Sequence, residues 1–176
     1  MSDIDLRFPI GRFQAPEVIT HDKLSEYADE IEALPSRVEA ILSGCPPDTL
    51  SHRYRPGSWN IRQLVYHLTD SHLHSYMRFK WTLTENTPTI KAYDEKEWAE
   101  LPTVLSTPME VIMDDLKMIQ RRLSHTIRSL SEEDMEKRFF HPENGKTYSL
   151  KVLSALYAWH SNHHLNHIKI AIENPA

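Results

Sequence analysis

Residues 149–174 contain neither proline nor glycine, yet His160, His163, His164 and His167 fall there within eight residues. An unbroken stretch of this kind, opened by Ser149 as a cap, is predicted to be one long helix. At about 100° per residue, Leu153, Leu156, Tyr157, His164, His167 and Ala171 lie within about 60° of His160, while Lys151, Asn162 and Lys169 lie opposite. The histidine stripe therefore continues an apolar face and points inward. Imidazoles facing a core are unfavourable unless each finds a hydrogen bond or a metal. Whatever this chain folds into must accommodate them.

The remaining sequence leans toward helices. There are four glycines in 176 residues, and a hydrophobic share of 40% is enough for one domain with a core of its own. A formal charge of −5, with no basic run longer than Arg121-Arg122, disfavours a nucleic-acid partner. Cys45 is the single cysteine, which excludes an internal disulfide and a cysteine-rich zinc site. No apolar run approaches the roughly 20 residues that span a bilayer. Met1-Ser2-Asp3-Ile4-Asp5 lacks the character of a signal peptide, so the expectation is a soluble cytoplasmic protein without membrane contact.

Residues 1–19, with Pro9, Gly11 and Pro16, read as an extended arm whose Leu6, Phe8, Ile10 and Phe13 pack on the body. Thr20 caps a first helix to about Ala33, Pro35 kinks or restarts it, and Gly44 stops it. Asn60 with Gln63 forms a possible capping box for a second helix over residues 61–84. Its apolar face is Ile61, Leu64, Val65, Leu68, Phe79 and Leu83. His67, Ser71, His74 and Arg78 form a polar strip beside that face, which suggests the wall of a wet cavity.

Residues 86–106 are a long connection, in which residues 94–101 form a short helix. Thr107, Pro108 and Glu110 match the N-cap, N1 and N3 positions of a third helix. Glu132, Glu133 and Asp134 open another short helix, and residues 139–148 form a loop or small hairpin. Four long helices imply an all-α four-helix bundle over residues 1–176, with short helices in its connections.

A bundle interior is where facing helices assemble metal sites. His160 and His164, at i,i+4, can offer two nitrogens to one ion, and His67 on the second helix is a candidate third. Three neutral imidazoles leave a zinc-like ion one position for water, as in catalytic zinc sites. Such an ion would acidify that water into a nucleophile near neutral pH. A buried structural histidine is the competing explanation, and the metalloprotease H-E-x-x-H pattern is absent because Ser161 follows His160. Asp70, His74 and Arg78 are candidates for orienting substrate or moving protons. Trp59, Trp98 and Trp159 read as packing anchors.

The chain also resembles a known family. Asp5-Leu6-Arg7-Phe8-Pro9-Ile10-Gly11, Tyr54-Arg55-Pro56-Gly57-Ser58-Trp59, Arg62-Gln63-Leu64-Val65-Tyr66-His67 and Asp70-Ser71-His72 are similar to the YfiT-like metal-dependent hydrolases of the DinB-like superfamily. Tyr93-Asp94-Glu95-Lys96-Glu97-Trp98, Ser129-Leu130-Ser131-Glu132-Glu133-Asp134 and Tyr157-Ala158-Trp159-His160 with His163-His164 extend the likeness over nearly the whole chain. The resemblance implies a DinB-like four-helix bundle, a homodimer, and one divalent ion per subunit on His67, His160 and His164. Zinc is the first expectation, with nickel or another divalent ion also suited to three imidazoles. His163 and His167 become supporting residues.

The first functional expectation is metal-dependent hydrolysis of a small molecule. The second is transfer onto a low-molecular-weight thiol activated by the metal, a chemistry in which Cys45 has no part. The third is a non-enzymatic metal-binding bundle.

Overall fold

Four long helices dominate the computed structural model, which describes residues 5–176. They are α1 (His21–Leu42), α2 (Ile61–Thr84), α5 (Met109–Arg128) and α7 (Leu150–Glu173). Between them lie the short helices α3 (Glu95–Ala99), α4 (Pro102–Ser106) and α6 (Glu132–Glu136). A hairpin, β1 (Arg138–His141) against β2 (Lys146–Ser149), is antiparallel with Arg138 opposite Ser149. The fold is the expected all-α bundle.

Local chemistry sets most of the boundaries. The Thr20 hydroxyl accepts from the Lys23 N–H at 3.3 Å and starts α1. That helix continues through Pro35 as a single element, so the expected restart does not occur, and it ends before Gly44 at φ +77°. Asn60 and Gln63 bond reciprocally in the predicted capping box of α2. The start of α5 differs from expectation. Thr107 instead closes α4, its hydroxyl donating to the Thr103 carbonyl at 2.7 Å, and Pro108 takes the N-cap position without a side-chain bond. Ser149 occupies the N-cap of α7 but likewise makes no side-chain bond there.

The neighbours in the bundle are not those a simple up-and-down order would give. α1 packs against α5 and α7, and α2 packs against the same two, so α1 and α2 lie diagonally. Two apolar clusters fix the directions. One joins Leu24 and Ile31 of α1 with Phe79, Ile127 and Leu153. The other joins Leu34 and Val38 with Ile61, Leu64, Leu116 and Leu165. The start of α1 thus sits level with the start of α7 and with the ends of α2 and α5, making α1 and α7 parallel. Between the clusters lies a buried polar layer that includes His72, Ser75, Gln120, Ser161 and His164. The histidines of α7 belong to this layer.

Of the arm expected over residues 1–19, residues 1–4 lie outside the described residues. From Asp5 onward it forms two successive turns, with Phe8 N–H donating to Asp5 O and Gly11 N–H to Phe8 O. Phe8 packs on His163 and Phe13 on Trp159, both at 6.0 Å between ring centres. The Leu6 and Ile10 side chains are more than a third exposed, so only part of the expected apolar set packs inward.

Candidate metal centre

The capping box at Asn60 fixes the register of α2, and His67 projects two turns later toward α7. His160 and His164 stand one turn apart on α7 and meet it. One nitrogen from each of the three lies within 4.8 Å of the other two, and the Nε2 atoms of His67 and His160 are 3.3 Å apart. Burial pushes the His67 ring down to about 4, with the His163 charge adding to the effect. His160 and His164 are driven well below the usual imidazole value, by burial first and then by neighbouring rings. All three are therefore neutral at pH 7, with a lone pair free, the form in which imidazole ligates a metal. Two unprotonated Nε2 atoms facing each other repel unless a cation or a proton lies between them. The donor set fits a divalent ion.

Hydrogen bonds on the far sides of the two α7 rings determine which nitrogen carries the proton. The Leu6 carbonyl can only accept, so at 3.1 Å it takes a hydrogen from Nε2 of His167. His167 is pushed down to about 4 by burial, so its Nδ1 is bare and accepts from Nδ1–H of His164 at 3.3 Å. That leaves Nε2 of His164 unprotonated. On the other side, Nδ1–H of His72 donates to Oε1 of Gln120 at 2.9 Å. Nε2 of His72 then accepts from Nδ1–H of His160 at 3.3 Å, leaving Nε2 of His160 bare. Each α7 histidine of the trio is held by a second, neutral histidine in the tautomer a metal needs.

His163, His164 and His167 also bring nitrogens within 4.8 Å of one another. Yet His163 stacks on Trp159 at 4.5 Å, His167 stacks on Tyr54 at 3.9 Å, and His167 is bonded at both nitrogens. Neither His163 nor His167 reaches the cavity at the first trio. His167 bonds His164 of the first trio, whereas His163 only packs edge-on against it and its buried Nδ1 has no hydrogen-bond partner.

That cavity, of about 330 Å³, is lined by Trp59, His67, Ser71, Arg78, Tyr93, Glu95, Tyr157, His160 and His164. A larger depression of about 760 Å³ between the arm, α1 and α7 contains none of these histidines. Arg78 thus stands where its polar strip predicted. His74 lies just behind the wall, stacked on Tyr93 at 4.0 Å with 5° between the rings. Asp70 does not join them. It lines a separate depression with Tyr66, Leu73, Asp115 and Met118, and burial raises its carboxyl to about 6. Trp59 is more than a packing anchor, because it tilts over His67 at 4.7 Å and walls the cavity.

Sequence reasoning missed His72 and Gln120. His72 lies about 140° around α2 from His67, off the polar strip and within the apolar face, where the helical pattern marks it only as a core position. Its partner is on α5, and only tertiary packing reveals the pair.

Comparison with known proteins adds ancestry to this geometry. Residues 30–168 match the sequence model of the DinB superfamily. The chain belongs to the DinB superfamily. Within it, a relative from Bacillus cereus (strain ATCC 10987 / NRS 248) is 44% identical over 164 residues, covering 93% of this chain and 94% of its own. One from Bacillus thuringiensis subsp. konkukian (strain 97-27) is 43% identical with the same coverage. Both carry the provisional name of metal-dependent hydrolase. Among solved structures, this DinB-superfamily chain is similar to YfiT from Bacillus subtilis, described as a probable metal-dependent hydrolase with an unusual four-helix bundle topology. The TM-score is 0.90 at 34% identity, covering 94% of this chain and 95% of YfiT.

Proposed function

We propose that this chain is a metal-dependent hydrolase acting on a small molecule, with one divalent ion held by His67, His160 and His164. The observation that carries the reading is the convergence of three neutral imidazoles on an open cavity of about 330 Å³. Zinc is the first choice for an all-nitrogen trio, with nickel the next. The ion's contribution when bound is Lewis acidity, which lets water act as a nucleophile near neutral pH. Glu95 is the one carboxylate among the residues lining the cavity, and in this reading it takes the proton from the attacking water. Tyr157 accepts from Ser71 and from Arg78, both at 3.4 Å, which leaves its own hydroxyl hydrogen for a bound substrate.

Metal analysis of gently purified protein tests the assignment. About one ion per chain is expected, lost in a His160→Ala, His164→Ala double variant. Unchanged metal content in that variant would sink it.

One feature also favours thiol transfer. Glu95 sits on the five-residue helix α3 in a connection, so the long helices offer the cavity no carboxylate base. A metal-bound thiol needs none, because the ion itself lowers its pKa. Turnover of an electrophile only when a low-molecular-weight thiol is added would decide for transfer.

A homodimer is part of the same proposal. It is supported by exposed Leu73 and Met77 one turn apart on α2, with Met118 of α5 beside Leu73. Sedimentation of a Leu73→Glu, Met118→Lys variant as a monomer, against a dimer for the parent, is the expected result.

A further inference from the structure

Arg78 is the one guanidinium lining the cavity, and it is only 8% exposed. A guanidinium stays protonated at any pH at which the protein is folded. A buried cation is normally neutralised by a carboxylate. Here, among the described residues, no aspartate or glutamate oxygen lies within 4.0 Å of it, although nine other ion pairs are formed. Its side chain makes one hydrogen bond, a long donation from Nη1 to the Tyr157 hydroxyl at 3.4 Å, and its buried Nε has no partner.

The surroundings do not compensate for this. His74 and His141 both lie close enough to Arg78 that its charge, after burial, lowers their affinity for a proton, so neither ring is an anionic partner for it. Glu95 shares the cavity but stands beyond ion-pair distance. In a chain of net charge −5, this wall of the cavity is locally positive.

Position adds to charge. Arg78 follows His67 by three turns on α2, about 16 Å along the axis. Helical side chains lean toward the N-terminus, so Arg78 leans back toward the histidines. The span left between its guanidinium and the three imidazoles suits a small molecule with two functional ends.

We propose that the substrate of this cavity carries an anionic group, a carboxylate or phosphate-type oxyanion, which pairs with the unpartnered edge of Arg78 while its reacting bond lies at the three histidines. An oxyanion offers two oxygens to the Nε and Nη2 hydrogens in the paired geometry that guanidinium favours. The Tyr157 hydroxyl hydrogen is placed to add a third bond. The proposal rests on the cavity being the substrate site, but the anion contact itself does not require the metal.

The test uses benzoate and its neutral isostere benzamide, titrated calorimetrically at constant ionic strength into metal-stripped and zinc-loaded protein. Benzoate should bind at least tenfold more tightly than benzamide in both forms. Arg78→Met should bring benzoate down to the benzamide level, and Arg78→Lys should retain part of the difference. Circular dichroism and melting establish that both variants fold; if Arg78→Met does not, Arg78→Lys and Glu95→Gln carry the result.

Equal binding of the two probes overturns the proposal. So does benzoate binding that appears only with zinc and survives Arg78→Met, because the ion is then the anion's site. Benzoate binding that appears only in Glu95→Gln also overturns it, since Glu95 is then the counter-ion of Arg78. Failure to load zinc at all counts against the metal reading, and the metal-stripped titration still decides the anion contact.

Discussion

His72 and His167 do not line the cavity, yet each fixes which nitrogen of a neighbouring ring holds the proton. Loss of such a partner typically lowers metal affinity 10–100-fold, roughly, while the ligands themselves stay in place. His72→Leu and His167→Phe are therefore expected to bind zinc about 10–100-fold more weakly, with about one ion per chain retained. Competition with a chromophoric chelator measures this. Two ions in the parent and one in His167→Phe would instead make the second histidine trio a metal site. The same residues mark the limit of what the sequence discloses. His160 and His164 were legible because i,i+4 spacing on an apolar face is local. The role of His72 was not, because its meaning depends on Gln120, 48 residues away on another helix.

The arm from Asp5 to the start of α1 meets the histidine layer at the Leu6 carbonyl, which accepts from His167, and at Phe8, which packs on His163. Removing residues 1–12 is expected to lower zinc affinity about as His167→Phe does, by roughly 10–100-fold. Melting should change less than metal affinity, because Leu6 and Ile10 are more than a third exposed and the inward-packed Phe13 and Ile19 remain. A truncated chain with full affinity would show that the carbonyl has no part in setting the ligand. At the other end of the site, Asn60→Ala removes a cap that closes both halves of its box. A loss of about 1 kcal/mol in urea unfolding is expected. The start of α2 was legible for the same reason: cap and first turn are encoded within four residues. The start of α5 was misread because Thr107 and Pro108 satisfy the pattern for a cap while Thr107 is committed to α4. Nor did any periodicity announce that α1 and α2 lie diagonally, since an apolar face does not name its partner.

Across the whole molecule, the histidine layer makes the fold sensitive to acid. The ordinary imidazole value of 6.5 applies to the unfolded chain, whereas His67, His163 and His167 are lowered to about 4 and His72 to about 3 in the fold. Between these values the unfolded chain binds more protons, so stability rises with pH and falls on acidification. Asp70 acts in the opposite sense between 3.8 and about 6, but it is one group against several. Metal-stripped protein is expected to melt markedly lower at pH 5 than at pH 7.5, the loss levelling off below about 4 for the rings lowered to that value. A flat profile would contradict burial of neutral rings. Zinc at pH 7.5 should raise the melting temperature through its preference for the folded state. A large rise without turnover across hydrolytic and thiol substrates would favour the non-enzymatic bundle.

The diagonal order of the helices also bears on how the protein is made. Only α2 and α5 are both consecutive long helices and packed neighbours; α1 must wait for α5 or α7, and α7 comes last. During synthesis α2 can emerge with His67 in register long before His160 and His164 exist. The centre is therefore completed only by the final docking event, and a ribosome-bound chain stalled before residue 150 should not retain zinc. In the proposed reading, binding of the ion follows the docking of α7.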